Sequence, residues 1–220
     1  MNKSSLIPIM PWSAAHQWQL KPGALLMISL ATILMGIGEG LLVTSRLGSS
    51  PWTVFSQGIA LQTGASIGVV VAIISVIVLL LWIPLKLRFG LGTVLNVFFI
   101  ALFIDLTVQY MPPPTHFAAQ FSMMCAAILL FGISTTFYLS CYLGAGPRDG
   151  LMVGICLKYG WRVGVVRTAL EVTVCAIGFL LGGTVGISTL AFAFCVGWII
   201  QYTATLFQRF NKRSVLTKNL

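Results

Sequence analysis

Acidic side chains are almost missing: four stand among 220 residues, Glu39, Asp105, Asp149 and Glu171. Charged residues of both signs make up 8% of the chain, against roughly a quarter in soluble domains, which excludes an ordinary water-soluble fold. Familiar chemical motifs are missing too. The five cysteines, Cys125, Cys141, Cys156, Cys175 and Cys195, fall inside or beside apolar runs with no CxxC and no Cys/His spacing. That suits small packing residues better than a disulfide framework or a metal set. His16 lies near the N-terminus and His116 beside a proline-rich turn. No Gly-Lys-Ser/Thr loop, zincin helix or nucleophile elbow occurs, so neither a cofactor nor an enzymatic activity is expected.

Apolar residues are what the chain has: 58% of the total, with a mean hydropathy of +0.98. Runs of about twenty such residues recur, each long enough at 1.5 Å per residue to cross a hydrocarbon core of about 30 Å. Six are read, at 23–44, 66–85, 91–111, 117–141, 163–182 and 186–207. The first is longer than the 7–15 residues of a secretory h-region and its small-residue cleavage pattern is poor, so an uncleaved span is expected. The fold class is therefore an all-α polytopic membrane protein.

The net charge of +9 does not point to nucleic acid. Four of the thirteen basic residues, Arg209, Lys212, Arg213 and Lys218, follow the last run, and most others sit in short connections, which is how membrane orientation is encoded. A basic end of this kind also suits anionic lipid headgroups, at about 1 kcal/mol per residue near the surface.

The strongest signal is a repeat. At an offset of 96 with no gap, Gly36, Gly48, Gly58, Gly64, Gly68 and Gly90 fall on Gly132, Gly144, Gly154, Gly160, Gly164 and Gly186, Pro51 falls on Pro147, and Thr93 on Thr189. Chance would give about one glycine coincidence, so an internal duplication is inferred. Each copy carries one long run, a Leu-Gly-x-x-Pro turn (residues 47–51 and 143–147), a segment of about a dozen residues (52–63 and 148–160), and two further runs.

The short segments set the expected architecture. Twelve helical residues reach only about 18 Å, so they are read as re-entrant or interfacial helices, with proline at a helix start where its missing N–H is no loss. Three crossings per copy, an odd number, turn the second copy upside down. Six spans plus two short helices in two inverted repeats result, with both termini cytoplasmic. Under that topology Lys86, Arg88, Lys158, Arg162 and the basic end lie inside, and only Arg46 breaks the pattern. A parallel arrangement with four crossings per copy places Lys86 and Arg88 outside and makes a dozen residues span. The expected division is a tail at 1–22, a first repeat at 23–111, an external loop at 112–116, a second repeat at 117–207 and a basic tail at 208–220.

Two sets of residues are candidates for a binding site. A half-helix N-terminus presents free N–H groups and a partial positive charge, which nominates the two turns with Pro51, Trp52, Pro147, Arg148 and Asp149. The alternative is that glycine and proline simply form tight turns. Charges within the runs form the second set: Glu39 and Asp105, with Arg46, are expected as an outer cluster, and Arg167 with Glu171, four apart on one helix face, as an inner pair near Arg148 and Asp149. Each costs about 2.5–3.5 kcal/mol to insert unless paired or wet. Structural ion pairs and an ion or solute path with Glu171 as acceptor are the two readings, and Asp105 and Arg46 are also placed to snorkel.

The stretches "PWTVFSQGIALQTGASIG", "LLLWIPLKLRFGLGTVLNVFFIALFIDL" and "GAGPRDGLMVG…VVRTALEVTVCAIGFLLGGTVG" resemble the bacterial YczE-type membrane proteins, relatives of the YitT-like group, over about residues 23–205. The resemblance implies a polytopic inner-membrane protein with no established biochemical activity and a suspicion of transport. The Pro-Arg-Asp turn matches at Pro147, Arg148 and Asp149, while Thr53 stands where relatives often carry an acid in the first turn. Two function classes remain: a small-solute permease, and a non-transporting scaffold or regulator of a membrane enzyme or export system. Expected partners are the lipid bilayer, a small solute, and a second copy or another membrane protein.

Overall fold

A computed structural model describes residues 8–218, with side chains through Phe210. Lys3 and the side chains of Lys212, Arg213 and Lys218 lie outside the described residues. Among those described there are eight helices and no strand: α1 Pro22–Thr44, α2 Pro51–Thr63, α3 Ile67–Trp82, α4 Leu91–Tyr110, α5 Phe117–Ser140, α6 Pro147–Tyr159, α7 Val163–Leu180 and α8 Ile187–Lys218. Five of them, α1, α4, α5, α7 and the Ile187–Phe210 part of α8, are long and apolar enough to cross a membrane. The pair α2 and α3, bent by 115° at their junction, makes a sixth if counted as one broken span.

The elements begin and end for local reasons. α2 and α6 both start on proline and both end at a left-handed glycine, Gly64 and Gly160, each at φ 71°, a conformation that costs glycine no Cβ clash. α3 stops at Trp82, three residues short of the expected boundary, because Pro84 cannot continue a helix. Leu85 N–H and Lys86 N–H instead close turns onto Trp82 and Ile83. α8 runs past residue 207 to Lys218, so the expected basic tail begins as helix. The N-terminal stretch packs against the helices. Ala14 N–H donates to Cys141 O at 3.0 Å, Leu91 N–H to Gln17 O at 3.0 Å, and Trp12 Nε1–H to Ser140 Oγ at 2.9 Å.

α1 is the central helix. Gly36 and Gly40 face Ile100, Phe103, Ile104 and Thr107 of α4, and Gly38 faces Ala127 and Phe131 of α5. Small residues let helix backbones approach in a bilayer, where lipid is as apolar as leucine. This glycine face is therefore used within the chain. Ile28, Met35, Val71, Ile104 and Tyr138 fill the core beside it, while Leu30, Ile73, Phe98, Phe194 and Trp198 are exposed on the outside, as a lipid-facing surface requires.

Each Leu-Gly-x-x-Pro turn docks on the other half of the chain. Leu143 O accepts from Gly92 N–H at 2.8 Å, and Leu47 O from Ser188 N–H at 2.9 Å; both partners of the second bond are the first bond's partners shifted by 96. Gly48 and Gly144 sit at φ 110° and 118°. A Cβ on Gly48 would lie 2.6 Å from Gly186 N, and one on Gly144 3.0 Å from Gly90 N.

Candidate functional site

The two turns deliver the first residues of α2 and α6 to one cavity of about 130 Å³. Its wall takes in Pro51 and Trp52 from α2, Pro147, Arg148 and Asp149 from α6, Arg167 and Glu171 from α7, and Glu39 from α1. Eight of the nine sequence-nominated residues thus meet in a single place; Asp105 does not.

Glu39 is buried at 1% exposure. Its carboxylate accepts from Ser50 Oγ at 2.9 and 2.8 Å and from Thr53 Oγ1 at 2.7 Å. Ser50 precedes Pro51 and Thr53 is the third residue of α2, so the acid sits at that helix's N-terminus, where the peptide dipoles favour negative charge. In α6 the position matching Thr53 is Asp149, an acid within the helix's own first turn. The acid missing from the first turn is thus supplied in space by α1.

The expected outer cluster does not form. Asp105 lies against the start of α3, where its carboxylate accepts from Ser66 Oγ and, at 2.7 Å, from Gly68 N–H, in a separate pocket lined also by Gln57 and Thr184. Arg46 is exposed, at φ 60°. Glu39 and Asp105 point to different neighbours because Ser50 and Ser66, hydroxyls not singled out in the sequence, capture them. Glu39 instead joins the set expected on the inner side.

Among the described residues the one ion pair is Arg167 Nε to Glu171 Oε1 at 2.9 Å, as the spacing of four predicts. The Arg148 guanidinium lies over the Trp52 ring at 5.3 Å from its centroid, and Trp82 Nε1–H donates to Pro147 O at 3.0 Å, fixing the start of α6. The second turn is held further by Thr93 Oγ1–H to Ala145 O at 2.7 Å and Tyr138 O–H to Gly144 O at 3.0 Å.

Most of the cavity wall consists of residues paired at the offset of 96, among them Met35 with Phe131, Glu39 with Thr135, Trp52 with Arg148, Ser75 with Glu171, and Ile100 with Val196. The apolar pairs stay apolar, whereas the charges are kept on one member only. Asn96, Ser75 and Thr135 also line the wall and were missed; a polar residue amid an apolar run was the available signal. Among the described residues no cluster of three or more His, Cys, Asp or Glu side chains could hold a metal.

Residues 23–205 match the model of a family of unknown function, DUF6198, and the chain belongs to that family. It is similar to an uncharacterized protein of Haemophilus influenzae, 47% identical over 208 residues, covering 94% of this chain and 95% of the relative. It is also similar to the uncharacterized membrane protein YczE of Bacillus subtilis, 29% identical over 173 residues, covering 78% of this chain and 80% of that one. No solved structure matches it. The expected YczE-type kinship therefore holds, and the chain is a membrane protein in contact with the bilayer.

Proposed function

We propose that this protein is a small-solute permease of the bacterial inner membrane, built as two inverted repeats with six crossings and cytoplasmic termini, and that the cavity between the starts of α2 and α6 is its solute site. The observation behind this reading is the paired wall. A cavity made from matching positions of two halves lies where the halves meet, and non-helical backbone there needs protein or water around it, since lipid offers it no hydrogen bonds. Charge retained on one member of each pair, Glu39, Arg148, Asp149, Arg167 and Glu171, makes the site lopsided, as an asymmetric polar solute requires. The 115° bend between α2 and α3 supports a re-entrant α2. The roles assigned are binding and ion coupling, not catalysis.

The ion pair Arg167–Glu171 favours the second reading, a scaffold or regulatory partner, because a scaffold holds its membrane charges as matched pairs. Metabolite profiling of a deletion strain, followed by binding to purified protein, names the solute. The variant Glu171→Gln then separates the readings. A permease loses uptake while membrane abundance is kept; a structural pair loses abundance, and Arg167→Gln in the same chain restores it.

A further inference from the structure

The two halves match in sequence but do not pack alike around the cavity. On one side α3 is pressed against α4: Gly68 has no room for a Cβ, which would strike Ala101 O and the Asp105 carboxylate. Asp105 ties the start of α3 down through Ser66 Oγ and Gly68 N–H, and Ile104 is fully buried. At the positions 96 further on, Gly164 has nothing within 4 Å of a Cβ, Gln201 replaces Asp105 and Arg162 replaces Ser66, both exposed, and Ile200, matching Ile104, is only half-buried.

α7 is nevertheless firmly held at its other end. Gly178 lies against the backbone of Val54 and Phe55, Gly58 against Gly178 O, and Gln62 Nε2–H donates to Leu181 O at 3.0 Å. The helix is thus pinned to α2 at its C-terminal end and stands off α8 at its N-terminal end. That N-terminal half bears Arg167 and Glu171; it is free of α8 only, since Val166 is buried and Leu170 packs against the core formed with α3 and α6.

We infer that the cavity has two gates: one between α3 and α4, latched by Asp105, and one between α7 and α8, open in this structure. The chain works by exchanging them, with the N-terminal half of α7 closing on α8 as Asp105 releases α3. This rests on the permease reading, under which the open gate faces the cytoplasm. Asp105 is then a positioning residue of the gate rather than part of the solute site.

The test uses full-length protein in nanodiscs, with its native cysteines replaced and spin labels on two matching pairs of exposed positions. Val69→Cys with Leu102→Cys reports the α3–α4 gate, and Val165→Cys with Trp198→Cys the α7–α8 gate. The expected result is a major population short across the first pair and long across the second, with a minor population reversed. Asp105→Ala, which removes a charge-assisted latch, raises the reversed population by about tenfold. Ser66→Ala, leaving the Gly68 bond, moves it less in the same direction, and serves if Asp105→Ala does not fold. Gly164→Leu, placed where there is open space, keeps the melting temperature and abolishes the reversed population. Distances that stay fixed in the latch variants, or that change independently of each other, overturn the inference. The distances are read independently of uptake, which a separate assay measures: gates that exchange in a chain moving no solute break the permease reading alone, and fixed gates in a chain that does move solute break this inference alone.

Discussion

Trp52 and Arg148 occupy matching positions 96 residues apart, and they touch: the guanidinium lies 5.3 Å from the indole centroid. Two residues in the same frame of the repeat thus face each other across the cavity. The starts of the two half-length helices therefore converge on one point, and the charged residues of the cavity are arranged around it.

Replacing Arg148 with lysine keeps the charge but loses the planar group that stacks on the ring. Contacts of this kind are worth about 0.5–2 kcal/mol, and this one is made within the protein, so Arg148→Lys should weaken solute binding only through lost positioning of the charge, by at most about 30-fold, at unchanged abundance. Trp52→Phe should fall nearer wild type than Trp52→Ala. Calorimetric titration with the identified solute checks both, and equal losses in Phe and Ala variants would count against the stacking role.

Glu39 is a structural acid as well as a cavity wall. Its removal leaves the buried Thr53 hydroxyl without its acceptor, at about 1–3 kcal/mol, while Ser50 Oγ–H keeps Thr53 Oγ1 as an acceptor at 3.1 Å. Glu39→Ala should lower the melting temperature in detergent by several degrees and Glu39→Gln, which retains an acceptor oxygen, by less. Thermal unfolding followed by intrinsic fluorescence measures this.

The two turns should fail alike. Gly48→Ala and Gly144→Ala each force a side chain into positive φ and into a backbone already in contact, combining strain of about 1–3 kcal/mol with overpacking. Both should reduce membrane abundance severalfold, measured by blotting, whereas Gly164→Ala, with open space around it, should not.

Much of this was legible in the sequence, for identifiable reasons. Apolar runs mark spans because bilayer thickness fixes their length, and proline at a helix start marked both short helices within one residue. The Arg167–Glu171 pair follows from helical spacing alone. What escaped depends on contacts between distant segments. Periodicity assigns Glu39 a depth but not the partners Ser50 and Thr53, and gives no sign that Asp105 turns to Ser66 instead. Docking of Trp12 against Ser140 and the different packing of Gly68 and Gly164 are equally invisible in one dimension, since both glycines are the same letter in the same frame.

Water access to the cavity is the most direct test of the account. Met152→Cys, at a half-buried wall position in a protein otherwise free of cysteine, should react with a small water-soluble thiol reagent in folded protein, at a rate within about tenfold of an exposed loop cysteine, and solute should slow it. A thiol at Met152 that reacts only after unfolding would make the cavity dry, and would contradict a solute route between the two turns.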